Sequence, residues 1–492
     1  MASIAVGHLL AEPGRQKALG AVTVDVCEGR IAAVSPHSSP SAAEARLLAM
    51  PPLGNAHDHA RLFRNATLGA GGLPFEAWTH VVASAPQVDA GLAVRDALAR
   101  AALGGQGAML LHYTRAQGLV DPFAEALQAA QAIEAVGIRV AYAVALRDLP
   151  VIGPGSNEQV LAQCSPALRH LLRERLAAAT AVTLPAREQI AFTRELARQI
   201  ESPLIRVQYG PYGLEWCSTE LIELTAQAAA EDGRRVHMHF LETPYQRQWA
   251  DRRYPQGVIR FLDEVGLLSP RLSLAHCTYL RPDEMELLAE RGVTVVSNPS
   301  SNLVLKSGIA RVPAMRAAGL RVALGLDGLG LDEDDDALRE MRLFMHLHKG
   351  WGFCNAASGE VSPADAFDAA LKSTRHAMFG LEDGAVIRPG APADLLVLDY
   401  AAMADDLLLD GLDEAELVAA RAQRAHLRRL VVAGRDVVRD GEIARFDYPA
   451  LRREMLAQAR VAGGRIRQAF ALRADIEQGL GAFCRSSLLG CC

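Results

Sequence analysis

The stretch Pro51-Pro-Leu-Gly-Asn-Ala-His-Asp-His59 ends an apolar run with two histidines two residues apart. In an extended strand such residues share a side, so the imidazoles of His57 and His59 can converge on one metal ion while Asp58 turns away. A lone His-x-His is common by chance. Here it is followed at long intervals by His239, Glu242, His276 and Asp327, each at the end of a further apolar run that reads as a β-strand. The ordered series His-x-His, His-x-x-Glu, His, Asp at successive strand ends is far more specific than any of its parts.

Outward from this stretch, strand-like runs fall at 49–59, 108–114, 139–146, 205–209, 235–241, 272–276, 293–297 and 320–327. Helical patterns such as 89–103 and 219–231 separate them. Strict alternation predicts a parallel sheet, and eight units predict closure into a TIM-type (β/α)8 barrel, whose chemistry sits at the C-terminal strand ends. The two chain ends have a different texture. Short alternating pieces such as Ala21-Val-Thr-Val-Asp-Val-Cys27 near the start match Ala393-Asp-Leu-Leu-Val-Leu-Asp399 and 430–438 near the finish, where Asp440-Gly441 marks a tight turn. The expected organisation is a small β-sandwich from residues 1–50 and 385–445, a barrel over 51–384, and a helical segment with a tail over 446–492. The tail is expected to be loose from about Phe483.

The 492 residues are 50% hydrophobic and 22% charged, enough for one large core and a smaller one. A formal charge of -6 gives no general attraction to nucleic acid or anionic membranes, so the expected partners are small molecules or copies of the chain itself. No basic segment followed by a long apolar one opens the chain, and no stretch reads as a bilayer span, which predicts a cytoplasmic protein. The eight cysteines show no Cys-x-x-Cys spacing, so neither a thiolate zinc site nor a disulfide framework is indicated. Cys277 follows His276 directly, and its side chain is expected to point the other way.

Several stretches together resemble the amidohydrolase superfamily, in its single-metal aminohydrolase branch of guanine, S-adenosylhomocysteine and related deaminases and the triazine hydrolases. They are the opening stretch, Leu73-Pro-Phe-Glu-Ala-Trp78, His237-Met-His-Phe-Leu-Glu-Thr243, Leu274-Ala-His-Cys277 and Ser297-Asn-Pro-Ser-Ser-Asn302, then Ala323-Leu-Gly-Leu-Asp-Gly328, Asp336-Ala-Leu-Arg-Glu-Met-Arg342 and Gly390-Ala-Pro-Ala-Asp394. The resemblance implies a barrel carrying a sandwich built from both ends. It makes His57, His59, His239 and Asp327 the ligands of one ion per subunit, a set that suits Zn²⁺ and is also acceptable to Fe²⁺. It further implies that His276 orients and helps deprotonate the nucleophile, that Asp327 is both ligand and base, and that Glu242 shuttles a proton to a ring nitrogen.

Other uses of these residue types stand beside these roles. His237 shares a strand side with His239 and offers a ligand too, although it breaks the His-x-x-Glu spacing. Asp327 also fits a helix cap, and a lone His276 fits a hydrogen-bonded core position. His346, His348 and His376 lie in helical patterns and read as structural. Around the centre, Arg61 or Arg64 offers a guanidinium to a substrate carbonyl or carboxylate, and equally fits a solvated or ion-paired arginine. His112 either faces the substrate or orients a ligand. In Gly210-Pro-Tyr-Gly213, Tyr212 stands where many relatives have a histidine, and no lysine is present there to bridge two metals. Trp216 and Trp78 offer flat faces to a ring or to simple packing. The acidic run from Asp332 to Asp336 reads as a solvated loop.

The implied activity is hydrolytic deamination of an exocyclic amine on a nitrogen heterocycle of purine, pterin, pyrimidine or triazine type, through hydroxide generated at the metal. The alternative hydrolase releases an alkylamine or chloride from a similar ring, or opens a cyclic amide. A third reading is a non-catalytic ligand-binding relative, which the full ligand set argues against. The resemblance also implies a homodimer or larger homo-oligomer.

Overall fold

The computed structural model describes residues 2–328, 333–350, 360–381, 385–409 and 411–487. Eight strands, Leu53–Asp58, Gln106–Tyr113, Arg139–Leu146, Ile205–Pro211, Val236–Phe240, Leu272–His276, Thr294–Ser297 and Arg321–Leu324, pair in chain order. Every pairing between neighbours is parallel. Helices cover the outside, so these strands are buried on both faces and carry continuous apolar runs. The helices start where capping chemistry allows. The Asp89 carboxylate accepts the Leu92 N–H to open Ala90–Leu103, and the Ser218 hydroxyl accepts that of Leu221 to open Thr219–Asp232.

No ladder joins the first and eighth strands among the described residues; the seam is stitched just beyond their ends. The Asp327 N–H donates to the His57 carbonyl (2.8 Å), and the Leu326 N–H donates to Asn55 Oδ1 (2.9 Å). Gly325 is required at this seam, because a Cβ there falls 2.2 Å from Asn298 Oδ1 and 2.9 Å from His57 Cβ. The barrel is therefore nearly closed, and its closing contacts bring Asp327 beside the two histidines of the first strand.

The chain ends meet as expected in two sheets. Ala2–Val6, Val22–Cys27 and Arg30–Pro36 form an antiparallel three-stranded sheet. The second has six strands: His8–Leu9, Leu47–Met50, Leu395–Asp399, Leu427–Val432, Arg435–Arg439 and Glu442–Ile443. Val6, Val24 and Ile31 of the first pack on Leu395, Val397 and Val431 of the second. Arg139 of the barrel holds both carboxylate oxygens of Asp394, at 2.8 and 2.9 Å.

Two expectations are corrected. The run 49–59 is not one strand. Leu47–Met50 pairs antiparallel with Leu395–Asp399 in the terminal sheet, and only Leu53–Asp58 enters the barrel. Pro51 and Pro52 lie between them, with no N–H to continue a ladder. Over the described residues the chain is not loose from Phe483, since 483–487 are helical. Helices Tyr448–Val461, Gly464–Ala471 and Arg473–Ser487 follow the sandwich. Ile476, Leu480, Phe483 and Cys484 make an apolar stripe at helical spacing, buried against Leu73, Ala77 and Trp78. Cys354, Cys491 and Cys492 lie outside the described residues. No helix among the described residues is long and apolar enough to cross a membrane.

Asn55 also donates through Nδ2 to Asp58 Oδ2 (2.8 Å) and Gln106 Oε1 (3.2 Å), so one buried amide ties the first, second and eighth strands together. Asn55→Ala leaves several buried groups unpaired and is expected to cost on the order of 3 kcal/mol. Urea unfolding measures this; an unchanged midpoint would show that closure does not rest on Asn55.

Candidate active site

The proposed site residues gather where the strands end, and the backbone is strained there. Ala60 (φ 52°), Leu241 (φ 47°), His276 (φ 72°), Cys277 (φ 51°) and Asp327 (φ 54°) all lie in the left-handed region, which costs a non-glycine residue about 1–3 kcal/mol. Each sits on or beside a proposed ligand or proton carrier. The turns re-aim side chains that an unbroken strand would send elsewhere. Asp58 does turn away: its Oδ1 accepts the Ala60 N–H (2.8 Å), and its Oδ2 accepts the Asn55 amide.

The imidazoles show what the site can hold. His59 Nδ1 donates to the His112 carbonyl (2.8 Å), and His239 Nδ1 donates to the Tyr212 carbonyl (2.5 Å). A carbonyl only accepts, so each Nδ1 carries the proton and each Nε2 of the neutral ring carries a lone pair. Yet the two Nε2 atoms are 3.1 Å apart, and His59 Nε2 is also 3.1 Å from Asp327 Oδ1. His57 Nε2, 3.4 Å from the same oxygen, is buried with no hydrogen-bond partner among the described residues. Acceptors facing acceptors at this range repel unless a cation lies among them. Burial, before all else, pushes His57 down to about 3 and lowers His59 and His239, which keeps the rings neutral as ligands must be. Three nitrogens and a carboxylate fit zinc or ferrous iron.

His237 differs from His239. Both of its ring nitrogens are engaged, with His57 Nδ1 at 2.7 Å and Ser273 Oγ at 2.8 Å. It lies behind His57 rather than beside the other acceptors.

Asp327 is the most connected group. Its Oδ1 accepts from Arg61 Nη2 (2.9 Å), its Oδ2 accepts from Ser301 Oγ (2.5 Å), and its carbonyl accepts from Arg61 Nε (2.8 Å). Burial opposes its ionisation, but the Arg61 guanidinium and the imidazoles of His57 and His59 outweigh that and hold it well below the usual carboxylate range. Glu242 is shifted the other way, raised first by burial and then by the Asp327 charge. Its Oε1 accepts from Ser307 Oγ (3.0 Å), whereas Oε2 has no hydrogen-bond partner among the described residues and lies 3.7 Å from His276 Nε2. His276 Nδ1 faces Asn302 Oδ1 at 2.9 Å, which places its proton there and leaves Nε2 an acceptor.

The remaining candidates separate. Arg61, Tyr212 and Trp216 line a cavity of about 500 Å³ that also contains His59, His239, Glu242, His276 and Asp327. The Arg61 guanidinium is occupied by Asp327 and lies 4.4 Å over the Trp78 ring, so it stands on the metal face rather than free in the cavity. Arg64 is bound to the Glu333 carbonyl at the surface. His112 is fully buried, with Nε2 on the Gly210 carbonyl (3.0 Å) and its ring stacked on that of His239, while its own carbonyl holds His59. Tyr212 likewise meets His239 through its carbonyl. The acidic run is not a solvated loop over its described part: Asp335 is buried on Arg100 (2.8 Å), and Asp336 caps the helix Ala337–His348. Asp332 lies outside the described residues. Sequence reasoning gave no role to Ser301, Asn302, Ser307 or Thr114, whose hydroxyl meets His59 Nδ1 at 2.8 Å. The only signal for the first two was their place in Ser297-Asn-Pro-Ser-Ser-Asn302.

Residues 48–437 match the amidohydrolase family, and the chain belongs to it. It is similar to the 5'-deoxyadenosine deaminase of Methanothermobacter thermautotrophicus, 33% identical over 240 residues, 49% of this chain and 54% of that one. It is also similar to the 5-methylthioadenosine/S-adenosylhomocysteine deaminase of Nitratidesulfovibrio vulgaris, 33% identical over 255 residues, 52% of this chain and 56% of that one. The chain thus spans about half the length of these relatives. A crystal structure of an adenosine deaminase from Xanthomonas campestris with bound zinc superposes with a TM-score of 0.71 at 25% identity, covering 94% of this chain and 98% of that one. An atrazine chlorohydrolase from Arthrobacter aurescens complexed with zinc shares the fold, with a TM-score of 0.74 at 20% identity, covering 93% and 100%.

Because Arg61 is bonded to Asp327, Arg61→Met is expected to disturb the centre itself. Zinc retained after dialysis against a chelator should fall severalfold relative to the unsubstituted protein. Full retention with only a raised KM would return Arg61 to the role of a substrate contact.

Proposed function

We propose that this protein is a single-metal hydrolase that removes an exocyclic amine from a nitrogen heterocycle, releasing ammonia and the oxo-compound. One observation carries the reading: the unprotonated Nε2 atoms of His59 and His239, the unpartnered Nε2 of His57 and the Asp327 carboxylate gather beside a buried carboxyl, Glu242, that is biased toward holding its proton. The first four residues are the proposed ligands of one ion, zinc by preference. Such an ion supplies Lewis acidity that brings the pKa of a water toward neutrality. The deaminase relatives support an amine leaving group, and the aromatic side chains of Tyr212 and Trp216 along the cavity suit a flat ring.

The chain's own groups then divide the proton work. Glu242, with Oε2 unpartnered, delivers a proton to the ring nitrogen next to the amine-bearing carbon, which makes that carbon electrophilic. His276, with its Nδ1 proton held by Asn302, accepts the first proton of the attacking water at Nε2 and returns it to Glu242, whose Oε2 lies 3.7 Å away, restoring the shuttle. Asp327, oriented by Arg61 and Ser301, takes up the second proton and passes it to the leaving amine. Ser307 fixes the other oxygen of Glu242, so that the proton-bearing oxygen faces the substrate. His112 and Tyr212 act through their carbonyls by holding the ligand rings, and Trp216 forms part of the ring's platform.

In this reading residues 51–384 are the catalytic unit, 1–50 with 385–445 the sandwich that braces it, and 446–492 a C-terminal helical segment and tail. The protein works in the cytoplasm as a homodimer or larger homo-oligomer on a small-molecule substrate.

His239→Ala and Asp327→Ala are expected to lose most of the bound metal, whereas Glu242→Gln keeps it and loses at least about a hundredfold in kcat, the scale of a general acid. Metal analysis beside kinetics separates the two. A Glu242→Gln protein of full activity removes the shuttle. The reading as a whole is tested by ammonia release from zinc-loaded protein against amino-purines, pterins, pyrimidines and triazines. Ammonia from one class is the expected result; bound metal with release of chloride or an alkylamine instead, or with ring opening, overturns deamination.

A further inference from the structure

The cavity does not end at the metal centre. Its lining continues to Arg115, just beyond the second strand, and to Arg465, on the helix Gly464–Ala471. Arg465 belongs to the helical segment that follows the family-matched residues.

These two guanidiniums and a third, Arg175, are gathered around one segment, residues 80–87. Arg115 Nη2 donates to the carbonyls of Ala85 and Pro86, the latter at 3.3 Å. Arg175 donates to the His80 carbonyl (2.7 Å) and to Ser84 Oγ. Arg465 donates to Gln87 Oε1. None of these partners is a carboxylate. Glu125, an acid on the same lining, is already engaged by the Tyr113 hydroxyl (2.7 Å) and by the backbone N–H groups of Gln117 (2.6 Å) and Gly118 (2.7 Å). The groups feel one another as like charges. Burial lowers Arg115 to about 10 with Arg465 and Arg61 adding to it, and Arg175 is lowered by burial and then by Arg465. Among the described residues these cations are balanced only by neutral acceptors, and the half-buried Arg115 and Arg175 lack the counter-charge that most such arginines have.

We propose that the outer end of the cavity is an anion subsite, in which Arg115 and Arg465 hold a carboxylate or phosphate on the far side of the substrate from its reacting ring. Arg115 is anchored by backbone carbonyls through one nitrogen and keeps the rest of its fork for a ligand. Arg465 is exposed and closes on the anion from the C-terminal helices, while Arg175 reinforces the field from behind. The substrate class is then an amino-heterocycle bearing an acidic arm rather than a neutral nucleoside. This rests on the deamination reading for the identity of the ring, but not for the anion.

The test is calorimetric binding to zinc-loaded Glu242→Gln protein, which does not turn its ligand over, with three probes: adenosine, adenosine 5'-carboxylate and adenosine 5'-monophosphate. The expected result is binding of at least one acidic probe at least about tenfold tighter than adenosine, the scale of one charged hydrogen-bonded contact. The preference should shrink in 0.5 M salt and collapse toward unity in Arg465→Gln and Arg115→Gln. The tighter of the two acidic arms distinguishes carboxylate from phosphate. Equal affinity for all three probes, no binding of either anion, or a preference that survives both substitutions overturns the subsite. Ammonia release from the same compounds by the unsubstituted protein reports separately on the chemistry. An anion preference without ammonia removes deamination of these purines and leaves the subsite, whereas ammonia from adenosine without a preference does the reverse.

Discussion

Everything at this site depends on acceptors being held closer together than they would choose. His59 Nε2 and His239 Nε2 are 3.1 Å apart, and each is denied a proton by a backbone carbonyl bound at the opposite nitrogen. Buried lone pairs with no donor are costly, so the arrangement has to be imposed by the rest of the fold. The imposing groups can be named. The His112 and Tyr212 carbonyls come from the ends of the second and fourth strands, and the Asp327 carboxylate is clamped by Arg61 and Ser301. A parallel barrel supplies such constraint because the six inner strands are each laddered to two neighbours, the first and eighth are stitched together at the seam, and the strain sits at the strand ends.

Barrel closure and chemistry are coupled for the same reason. The contact that joins the eighth strand to the first is the Asp327 N–H on the His57 carbonyl, so one turn completes the wall and delivers the carboxylate. Gly325 allows that turn to pass under His57 and Asn298, and left-handed backbone at Asp327 redirects the side chain inward. Losing this seam removes a ligand even with every histidine in place.

What the sequence disclosed follows from what is periodic or terminal in it. The strands announced themselves as apolar runs, and a residue that ends such a run can be placed without knowing its neighbours; hence His57, His59, His239, His276 and Asp327 were legible. Arg61 was legible as a charge but not as a partner, since its bond to Asp327 spans 266 residues and no local pattern encodes it. The roles of Ser301, Asn302 and Ser307 were hidden similarly, because a hydroxyl or amide in a loop looks the same whether it faces water or a carboxylate. The run 49–59 misled through hydrophobicity alone: it is apolar throughout, and only the missing N–H groups of Pro51 and Pro52 divide it between two sheets.

The C-terminal helices show a different limit. Their amphipathic spacing predicts helix, yet it cannot say what the apolar stripe covers. The stripe of Ile476, Leu480 and Phe483 packs on Leu73, Ala77 and Trp78, the segment that follows the first barrel strand. Trp78 in turn lies under Arg61, which holds Asp327. A packing contact at the end of the chain is therefore linked, through one indole and one guanidinium, to the proposed ligand at the end of the eighth strand. The preceding helix of the same segment carries Arg465 to the cavity lining. A segment outside the family-matched residues thus touches the site on two sides, at the support of the metal face and at the outer end where a substrate's far side lies. A barrel acquires its own choice of substrate most cheaply in this way, by adding walls to the cavity and leaving the strand ends alone.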